Sequence, residues 1–274
     1  MLAPHSQSSV RVGFRSHTPT ELTVNCKKSD KFHGPRSPNP SSPIRVFTLE
    51  ERTNQSTLSY DDRLDGALHV LRTEAHALQV LSGLYASDRT CRDGFFRSVE
   101  AITRHKNHRG KVVFVGVGKS GWIAKKLTAT FTSLGIPAVF LHPTEALHGD
   151  LGIVGEKDTI IMITFSGKTA ELMLLMPHLH KTCPLIVMTS ATSVDGCRLS
   201  ELRPDLILLP TPIPESETES FGVSAPTTST TMAIAVGDAL AYVASKEMHA
   251  CVPAVFGKNH PGGAIGQNYA KGRQ

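Results

Sequence analysis

Between Val112 and Leu209, short apolar runs alternate with segments in which apolar residues recur at helical spacing. Runs that are apolar at nearly every position are typical of strands buried on both faces of a parallel sheet, and the segments between them supply the covering helices. The pattern therefore predicts an α/β fold of three layers, in which ligands bind at the carboxyl ends of the strands. The predicted strands cover residues 112–115, 138–141, 159–164, 185–189 and 205–209.

Helices are predicted before, within and after this alternation. Ser59 and Asp62 have the spacing of a capping box, and apolar residues then recur every three or four positions as far as Leu81. The same spacing predicts a second helix that ends near Lys106. The other predicted helices cover about 120–134, 169–181 and 227–246, whereas residues 142–156 are predicted to form a loop.

The first 58 residues differ in composition from the rest of the chain. They contain six of the 17 prolines, many serines and few large apolar residues. Such a segment cannot bury enough apolar surface to offset the entropy lost on ordering. We expect a disordered, basic leader over residues 1–58 and a single domain over residues 59–274.

The formal net charge of +5 does not indicate a nucleic-acid partner, because residues 1–60 hold eight Lys or Arg and four Asp or Glu and so account for +4 of it. The five cysteines form no C-x-x-C pair, which is typical of a reducing compartment. No apolar run approaches the ~20 residues of a membrane-spanning helix, and the N-terminus lacks the apolar core of a signal peptide. We therefore expect a cytoplasmic protein with neither a nucleic-acid nor a membrane partner.

The turn after the first predicted strand is Gly116-Val-Gly-Lys-Ser-Gly121. A glycine-rich turn at a helix start binds anions, because unpaired amides and the helix dipole both point at it. A P-loop is excluded, since Val113 occupies the place of its first glycine. A dinucleotide site lacks its acidic residue, since the second strand runs into His142-Pro143. An ordinary strand-to-helix turn remains open, as does a phosphosugar site in which Lys119 reaches the sugar.

A second polar loop, Thr164-Phe-Ser-Gly-Lys-Thr169, follows the third predicted strand. Hydroxyls around a glycine at a strand-to-helix turn can share a phosphate with the backbone amides, although a simple helix cap uses the same residue types. Two such loops in adjacent units of one sheet favour the phosphate interpretation. The predicted phosphate-binding residues are Gly118, Ser120, Thr164, Ser166 and Thr169.

Ionisable residues also follow the predicted strands. His148-Gly-Asp150 could begin a metal site, but a lone histidine is more often structural, and we expect neither a metal nor an organic cofactor. His260 lies in a Pro-Gly-Gly turn near the end of the sequence. The acids that follow the second, third and fifth strands are Glu145, Asp150, Glu171, Glu215, Glu217 and Glu219.

Six motifs, in this order, resemble those of the arabinose-5-phosphate isomerases, which have the sugar isomerase (SIS) fold. The resemblance covers roughly residues 60–270, and the ordered set is far more specific than any single motif. The motifs are Gly116-Val-Gly-Lys-Ser-Gly121, His142-Pro-Thr-Glu-Ala-Leu-His-Gly-Asp-Leu-Gly152, Thr164-Phe-Ser-Gly-Lys-Thr169, Ala225-Pro-Thr-Thr-Ser-Thr-Thr231, Gly237-Asp-Ala-Leu240 and His260-Pro-Gly-Gly263.

The resemblance implies a reaction and a set of catalytic residues. The family interconverts ribulose 5-phosphate and arabinose 5-phosphate through an enediol, which needs an acid or base for ring opening, a group that moves a proton between carbons, and a donor for the enediolate. We expect a histidine to open the ring and a carboxylate to move the proton. By position, Lys119, His148, Glu171 and His260 match the family's active-site residues, and Glu219 is added as the candidate for a further family glutamate.

The sequence departs from the family pattern in several places. The usual Glu-Ala-Cys-Pro is replaced by Thr218-Glu-Ser-Phe221, so the family glutamate corresponds to Glu219 only if a gap of one residue is allowed, and Glu217 is the other candidate. Trp122 replaces the usual histidine after Lys-Ser-Gly. Many members continue into a pair of CBS domains, which this sequence lacks, so we expect no regulation through them.

Two other functions stay open at this point. One is a non-catalytic SIS module that senses a phosphosugar or holds a partner, and the other is a phosphohexose isomerase or lyase on the same fold. Members of the fold usually form homodimers or homotetramers. The apolar stripe of the helix from Leu64 to Leu81 is a candidate interface, although packing within its own domain would explain it as well.

Overall fold

The computed structural model describes residues 58–104, 110–263 and 266. In this part of the chain, five strands form one wholly parallel sheet in the order β2-β1-β3-β4-β5. The strands are β1 (Val112–Gly116), β2 (Ala138–Leu141), β3 (Thr159–Ile163), β4 (Leu185–Thr189) and β5 (Ile207–Pro210). Each predicted strand is present, with ends that differ by no more than two residues.

Both faces of the sheet are buried. Successive side chains of a strand point to opposite sides, so alternate residues of β1 belong to different apolar clusters. Val112 and Phe114 belong to one apolar cluster, whereas Val113 and Val115 belong to the other. The first cluster packs under the four long helices, and the second packs under short helical segments. The prediction of a three-layer α/β fold is confirmed.

The four long helices cover one face of the sheet. They are α1 (Tyr60–Ser87), α2 (Arg89–Thr103), α3 (Gly118–Ser133) and α7 (Thr228–Met248). The predicted capping box at the start of α1 is present, since Ser59 and Asp62 exchange side-chain and backbone hydrogen bonds. None of the helices in the described stretches combines the length and the hydropathy needed to cross a bilayer.

The short helices depart most from the sequence predictions. The predicted loop 142–156 contains α4 (Pro143–Ala146), which starts with a proline and is capped by the His142 ring. The helix predicted over 169–181 is shorter, because Pro177 cannot continue the ladder of amide hydrogen bonds. Its α-helical part is α5 (Ala170–Leu175), followed by a 3₁₀ turn over Met176–His178. Two further helices were not predicted, namely α6 (Glu217–Phe221) and α8 (Val252–Asn259).

The strand order places a crevice between β1 and β3. From β1 the chain first moves outward to β2 and then crosses back to β3, so the connections leave these two neighbouring strands in opposite directions. Ligands bind in α/β sheets at such a switch point, outside the carboxyl ends of the strands. Gly116 pairs with Ile163 at that edge, so the loops after β1 and β3 meet there. The predicted leader lies outside the described residues, apart from Leu58, and stays a prediction.

Candidate active site

A cavity of about 440 Å³ opens at this switch point. This volume lies in the usual range for small-molecule sites. Its lining combines apolar side chains with hydroxyls, one lysine and one glutamate. The lining residues are Val117, Lys119, Ser120, Ile123, Ile163, Phe165, Met188, Thr211, Ile213, Ser216, Glu217, Thr218, Ser224, Pro226, Ser229, Thr230 and Ala233.

The glycine turn delivers Lys119 and Ser120 to this cavity. Gly118 has a φ of 58°, in the left-handed region that side chains rarely adopt. A Cβ on Gly116 would lie 2.7 Å from the Ser120 carbonyl oxygen, so only glycine lets α3 start this close to β1. Lys119 is exposed and Ser120 half-buried. Two of the ten predicted site residues thus lie on the wall of the cavity.

The hydroxyl loop after β3 is fixed to the end of β4. The Phe165 carbonyl accepts hydrogen bonds from the Ser190 amide at 3.0 Å, the Ser190 hydroxyl at 2.6 Å and the Thr189 hydroxyl at 3.0 Å. The Thr164 and Thr169 hydroxyls are 2.8 Å apart and bonded to each other. These contacts tie the loop to the carboxyl end of β4.

The predicted phosphate ligands of this loop have different surroundings. Thr164 is 2% exposed, and Thr169 is the residue before the first turn of α5. The exposed Ser166 hydroxyl accepts from the Lys168 amide at 3.3 Å. Of the loop itself, the Phe165 side chain is the part that lines the cavity. Phosphate binding by Thr164, Ser166 and Thr169 stays a prediction.

The cavity's glutamate is Glu217, in the first turn of α6. Although it is an acid, only 8% of its surface is exposed. Its Oε1 accepts three hydrogen bonds, from the Thr227 amide at 2.8 Å, the Ser229 amide at 3.0 Å and the Ser229 hydroxyl at 2.7 Å. The carboxylate therefore sits at the start of α7, where unpaired amides and the helix dipole favour negative charge.

Glu219, two positions later, contributes to the cap of α6, and its predicted catalytic role stays a prediction. Its carboxylate accepts from the Ser216 amide and hydroxyl at 3.0 and 2.7 Å, which completes a capping box at the start of α6. These bonds, the hydroxyl's first, lower the pKa of Glu219. It is exposed and does not line the cavity. The structure thus separates the two glutamates between which the sequence left a choice.

Glu171 and His148 lie outside the cavity wall. Glu171 is half-buried in the first turn of α5. His148 is exposed in the turn that follows α4, and its amide donates to the Glu145 carbonyl at 2.9 Å. Their predicted catalytic roles stay predictions.

His260 lies far from the cavity within one chain. Its ring stacks on Phe256 with 4.0 Å between the centroids, and Nδ1 is 2.7 Å from the Phe256 carbonyl. Its Nε2 is 3.4 Å from the hydroxyl of Ser133, the last residue of α3, whereas Lys119 is in the first turn of that helix. At 1.5 Å per residue these two positions are roughly 20 Å apart. The chain therefore does not bring His260 and Lys119 together, and the role of His260 stays a prediction.

Sequence reasoning missed Ser229 and the apolar wall. Ser229 lies inside the Ala225–Thr231 motif, but no local spacing reveals that its hydroxyl bonds a glutamate twelve residues earlier. Ile163 and Met188 were predicted as strand residues. The structure shows that they also line the cavity at the edge of the sheet. No group of three or more His, Cys, Asp or Glu residues in the described ranges is placed to hold a metal ion.

Comparison with known proteins assigns this architecture to a family. The model of the SIS domain matches residues 107–243, which is half of the chain. The chain belongs to the SIS domain family. The matched range begins before β1 and ends inside α7, so this SIS domain contains the whole sheet, both polar loops and the Glu217 segment.

Proteins similar to this SIS domain include two curated relatives and one solved structure. "Arabinose 5-phosphate isomerase KdsD" of Francisella tularensis is 33% identical over 211 residues, 77% of this chain and 60% of that protein. The protein of the same name from Escherichia coli K12 is 40% identical over 160 residues, 58% of this chain and 46% of its own length. The chain thus spans about half the length of these relatives. The structure of Escherichia coli CFT073 c3406 in complex with arabinose 5-phosphate is 36% identical, has a TM-score of 0.61, and aligns over 74% of this chain and all of its own.

Proposed function

We propose that this SIS domain is an aldose-ketose isomerase that interconverts ribulose 5-phosphate and arabinose 5-phosphate. The observation that carries the proposal is the cavity at the β1–β3 switch point, whose lining combines a lysine, a buried glutamate and several hydroxyls. The names of the KdsD relatives and the arabinose 5-phosphate bound to the similar structure support this substrate class.

Glu217 is the proposed base for the proton transfer. It takes a proton from C1 of the open-chain ketose, and the C–H electron pair forms the C1–C2 double bond while the C2 oxygen gains a proton. Return of the proton to C2 and loss of the O1 proton give the aldehyde at C1, so the step needs no external oxidant or reductant. A carboxylate within hydrogen-bond reach of the proton is suited to this exchange.

Lys119 is the proposed stabiliser of the enediolate. Negative charge develops on the C1 and C2 oxygens as the proton leaves carbon. The Lys119 ammonium stabilises that charge, and apolar neighbours strengthen the attraction because they lower the local dielectric constant. Ile123, Ile163 and Met188 supply that environment. Lys119 thereby acts at the sugar end of the site.

The phosphate is proposed to bind at the glycine turn and the neighbouring hydroxyl loop. Gly118 and Ser120 lie at the start of α3, where the helix dipole favours an anion. Thr164, Ser166 and Thr169 are the candidate donors from the loop after β3. His148 and His260 remain the candidates for ring opening, and Glu171 remains a second candidate for the proton transfer.

The direct test is turnover of ribulose 5-phosphate by the purified full-length chain, followed as arabinose 5-phosphate by chromatography. Fructose 6-phosphate serves as the competing substrate, and sugar-phosphate binding is measured by calorimetry on the same sample. We expect conversion of the pentose phosphate at a rate well above that of the hexose phosphate. Binding without any turnover would contradict the proposal and favour a sensor of phosphosugars, whereas faster hexose conversion would favour a phosphohexose isomerase.

We also infer that the chain self-associates, through the outer side of α1. Leu64, Leu71 and Leu78 are seven residues apart on that helix and 47%, 62% and 37% exposed. Leucines at this spacing form a single stripe, which is typical of a helix that packs against another helix. An apolar groove of about 640 Å³ between α1, α2 and α7 adjoins the stripe at Leu78, so an apolar surface extends over this helical layer.

A cytoplasmic location is the proposal that fits the cysteines best. Cys91, Cys183 and Cys197 are buried free thiols, and Cys251 is an exposed free thiol. Burial raises the pKa of the Cys91 thiol to about 12. Unpaired thiols of this kind are typical of reducing compartments.

A further inference from the structure

Helix α7 begins without a side-chain cap from its own first residues. Thr227 precedes the first turn but makes no capping hydrogen bond to it. Glu217 replaces that cap from outside the helix, because its Oε1 accepts from the amides of Thr227 and Ser229. A 21-residue helix thus has a cavity-lining carboxylate as its N-terminal cap.

The hydrogen bonds to Glu217 fall on one oxygen. The third bond to Oε1, from the Ser229 hydroxyl, is the shortest of the set at 2.7 Å. Two buried side-chain atoms of the described residues lack a partner, Arg203 Nη1 and Thr228 Oγ1, and Glu217 Oε2 is not among them. Oε2 accepts no hydrogen bond from a described residue and is accessible to solvent, and Glu217 is one of the residues that line the cavity.

We propose that Ser229 is a positioning residue that holds Oε1 of Glu217 at the α7 terminus, so that Oε2 is the atom that exchanges the proton with the sugar. This inference rests on the proposed isomerase function. The Ser229 hydroxyl donates its hydrogen bond to Oε1, so its role in the reaction is exerted through the carboxylate. Because a glutamate has three rotatable side-chain bonds, an untethered carboxylate would spread over several orientations, and a displacement of about 1 Å can cost on the order of a hundredfold in rate.

The starts of α6 and α7 support the assignment of different roles to Oε1 and Oε2 of Glu217. Glu217 is at the start of α6, whose capping box uses Ser216 and Glu219 and so fixes the backbone that carries the base. Ser229 is in the first turn of α7 and 7% exposed. Two helix termini, one on each side of the hydrogen bond, thus set the position of the carboxylate.

The test compares Ser229→Ala with Ser245→Ala in the full-length chain. Ser245 is a matched control, because it is also buried in α7 and its hydroxyl donates a 2.8 Å hydrogen bond, to the Leu134 carbonyl near the far end of the helix. We expect both variants to lose a similar amount of stability on urea unfolding. We expect kcat to fall about tenfold or more in Ser229→Ala alone, with KM within about twofold of the wild type.

A double-mutant cycle shows whether Ser229 acts through Glu217. In the Glu217→Gln background, a further Ser229→Ala change should leave the residual kcat unchanged, because the group that Ser229 positions is already gone. An unchanged kcat in Ser229→Ala, an equal fall in Ser245→Ala, or an additive effect in the cycle would overturn the inference. A wild-type chain without turnover would instead overturn the proposed function, and this inference with it.

Discussion

Glu217 and Glu219 are two residues apart in the first turn of α6, so their side chains point in different directions and have different neighbours. Glu217 contacts the start of α7 and lines the cavity, whereas Glu219 bonds Ser216 and faces solvent. At the scale of single residues, the sharpest prediction is therefore that Glu217 and not Glu219 is the base.

We expect Glu217→Gln to reduce kcat by ~100-fold or more, because the amide cannot accept the proton. The amide oxygen can still accept from the Thr227 and Ser229 amides, so the loss of folding stability should be about 1 kcal/mol or less. Steady-state kinetics and urea unfolding on the same sample measure both quantities.

Glu219→Gln is the control for that variant, and we expect a kcat within about threefold of the wild type, since its carboxylate bonds Ser216 and does not line the cavity. Glu171→Gln tests the remaining candidate in the same assay. A fall in kcat for Glu219→Gln or Glu171→Gln that matches or exceeds the fall for Glu217→Gln would contradict the assignment of the base.

Sequence patterns identified part of the site at this scale and could not identify the rest. Lys119 and Ser120 were predictable because their position depends only on the strand before them and the helix after them. Glu217 could not be distinguished from Glu219, since the orientation of α6 depends on which hydroxyl caps it. Ser229 was not found because its contact with Glu217 depends on how two separate helix starts meet.

At the scale of secondary-structure elements, the positions of the strands depend on a few side-chain hydrogen bonds and ion pairs between elements as well as on local apolar spacing. Asp158, directly before β3, is one of them, since its side chain is 3% exposed and its Oδ2 is 2.6 Å from the Lys111 ammonium. It also accepts from the Lys111 amide at 3.0 Å and the Gly155 amide at 2.8 Å. These bonds hold the starts of β1 and β3 in register at the edge opposite the cavity.

The environment of Asp158 predicts how stability depends on pH. Burial pushes the pKa of Asp158 upward, but the hydrogen bonds from Lys111 and from the Gly155 amide outweigh it, so the pKa is lowered on folding. A carboxyl with a lowered folded pKa stabilises the protein above its unfolded pKa of about 3.9, and that stabilisation is lost as the pH falls through the folded pKa.

We expect Asp158→Asn to be less stable than the wild type by about 2 kcal/mol between pH 5 and 7, because the Lys111 ammonium loses its partner. The difference should shrink as the pH falls below about 3.9, where the carboxyl of the unfolded wild-type chain takes up a proton, and it should vanish below the lowered folded pKa. Urea unfolding of both proteins across that range gives the difference directly. A gap that stays constant or widens below pH 4 would show that the ion pair is not its source.

Helices and strands were predicted best where the apolar spacing continues over many residues. They were predicted worst where a cap or a proline sets the end of a short helix. The strands and the four long helices follow from apolar spacing alone. α4 and α8 each begin with a proline in the first turn, and α5 ends before Pro177, features that a periodicity pattern of this length does not capture. Their ends depend on which backbone groups find partners.

At the scale of the whole molecule, the helical layer of α1, α2 and α7 carries an apolar groove. The groove there is larger than the cavity at the switch point, but it is lined mainly by apolar side chains such as Phe95, Phe96 and Val99. Such a lining suits protein contact better than the binding of a charged sugar phosphate.

We expect Leu71→Glu to shift the chain toward its monomer mass of 29.6 kDa, because a charge in the middle of the leucine stripe opposes helix pairing. Leu174→Glu is the matched control, since Leu174 is 63% exposed and Leu71 62%, but it lies on α5 on the other face of the sheet. Sedimentation velocity measures both. A monomeric wild type, or an equal shift in both variants, would contradict the proposed interface.

The fold class and the edge of the sheet that carries the site were predictable from the alternation of strands and helices. The relation of His260 to Lys119 was not, because it depends on α8 returning to the far end of α3. Sequence motifs give the identity of the reactive groups, whereas their distances come only from the packed chain.

The enediol reaction itself is tested most directly by following ribulose 5-phosphate and the wild-type chain in D₂O by proton NMR. The account predicts that arabinose 5-phosphate appears, with deuterium at C2 in at least part of the product, since the proton on Glu217 can exchange with solvent before it returns to carbon. If the chain binds ribulose 5-phosphate but neither arabinose 5-phosphate nor exchange of the C1 protons is seen, isomerisation through an enediol at this cavity is contradicted.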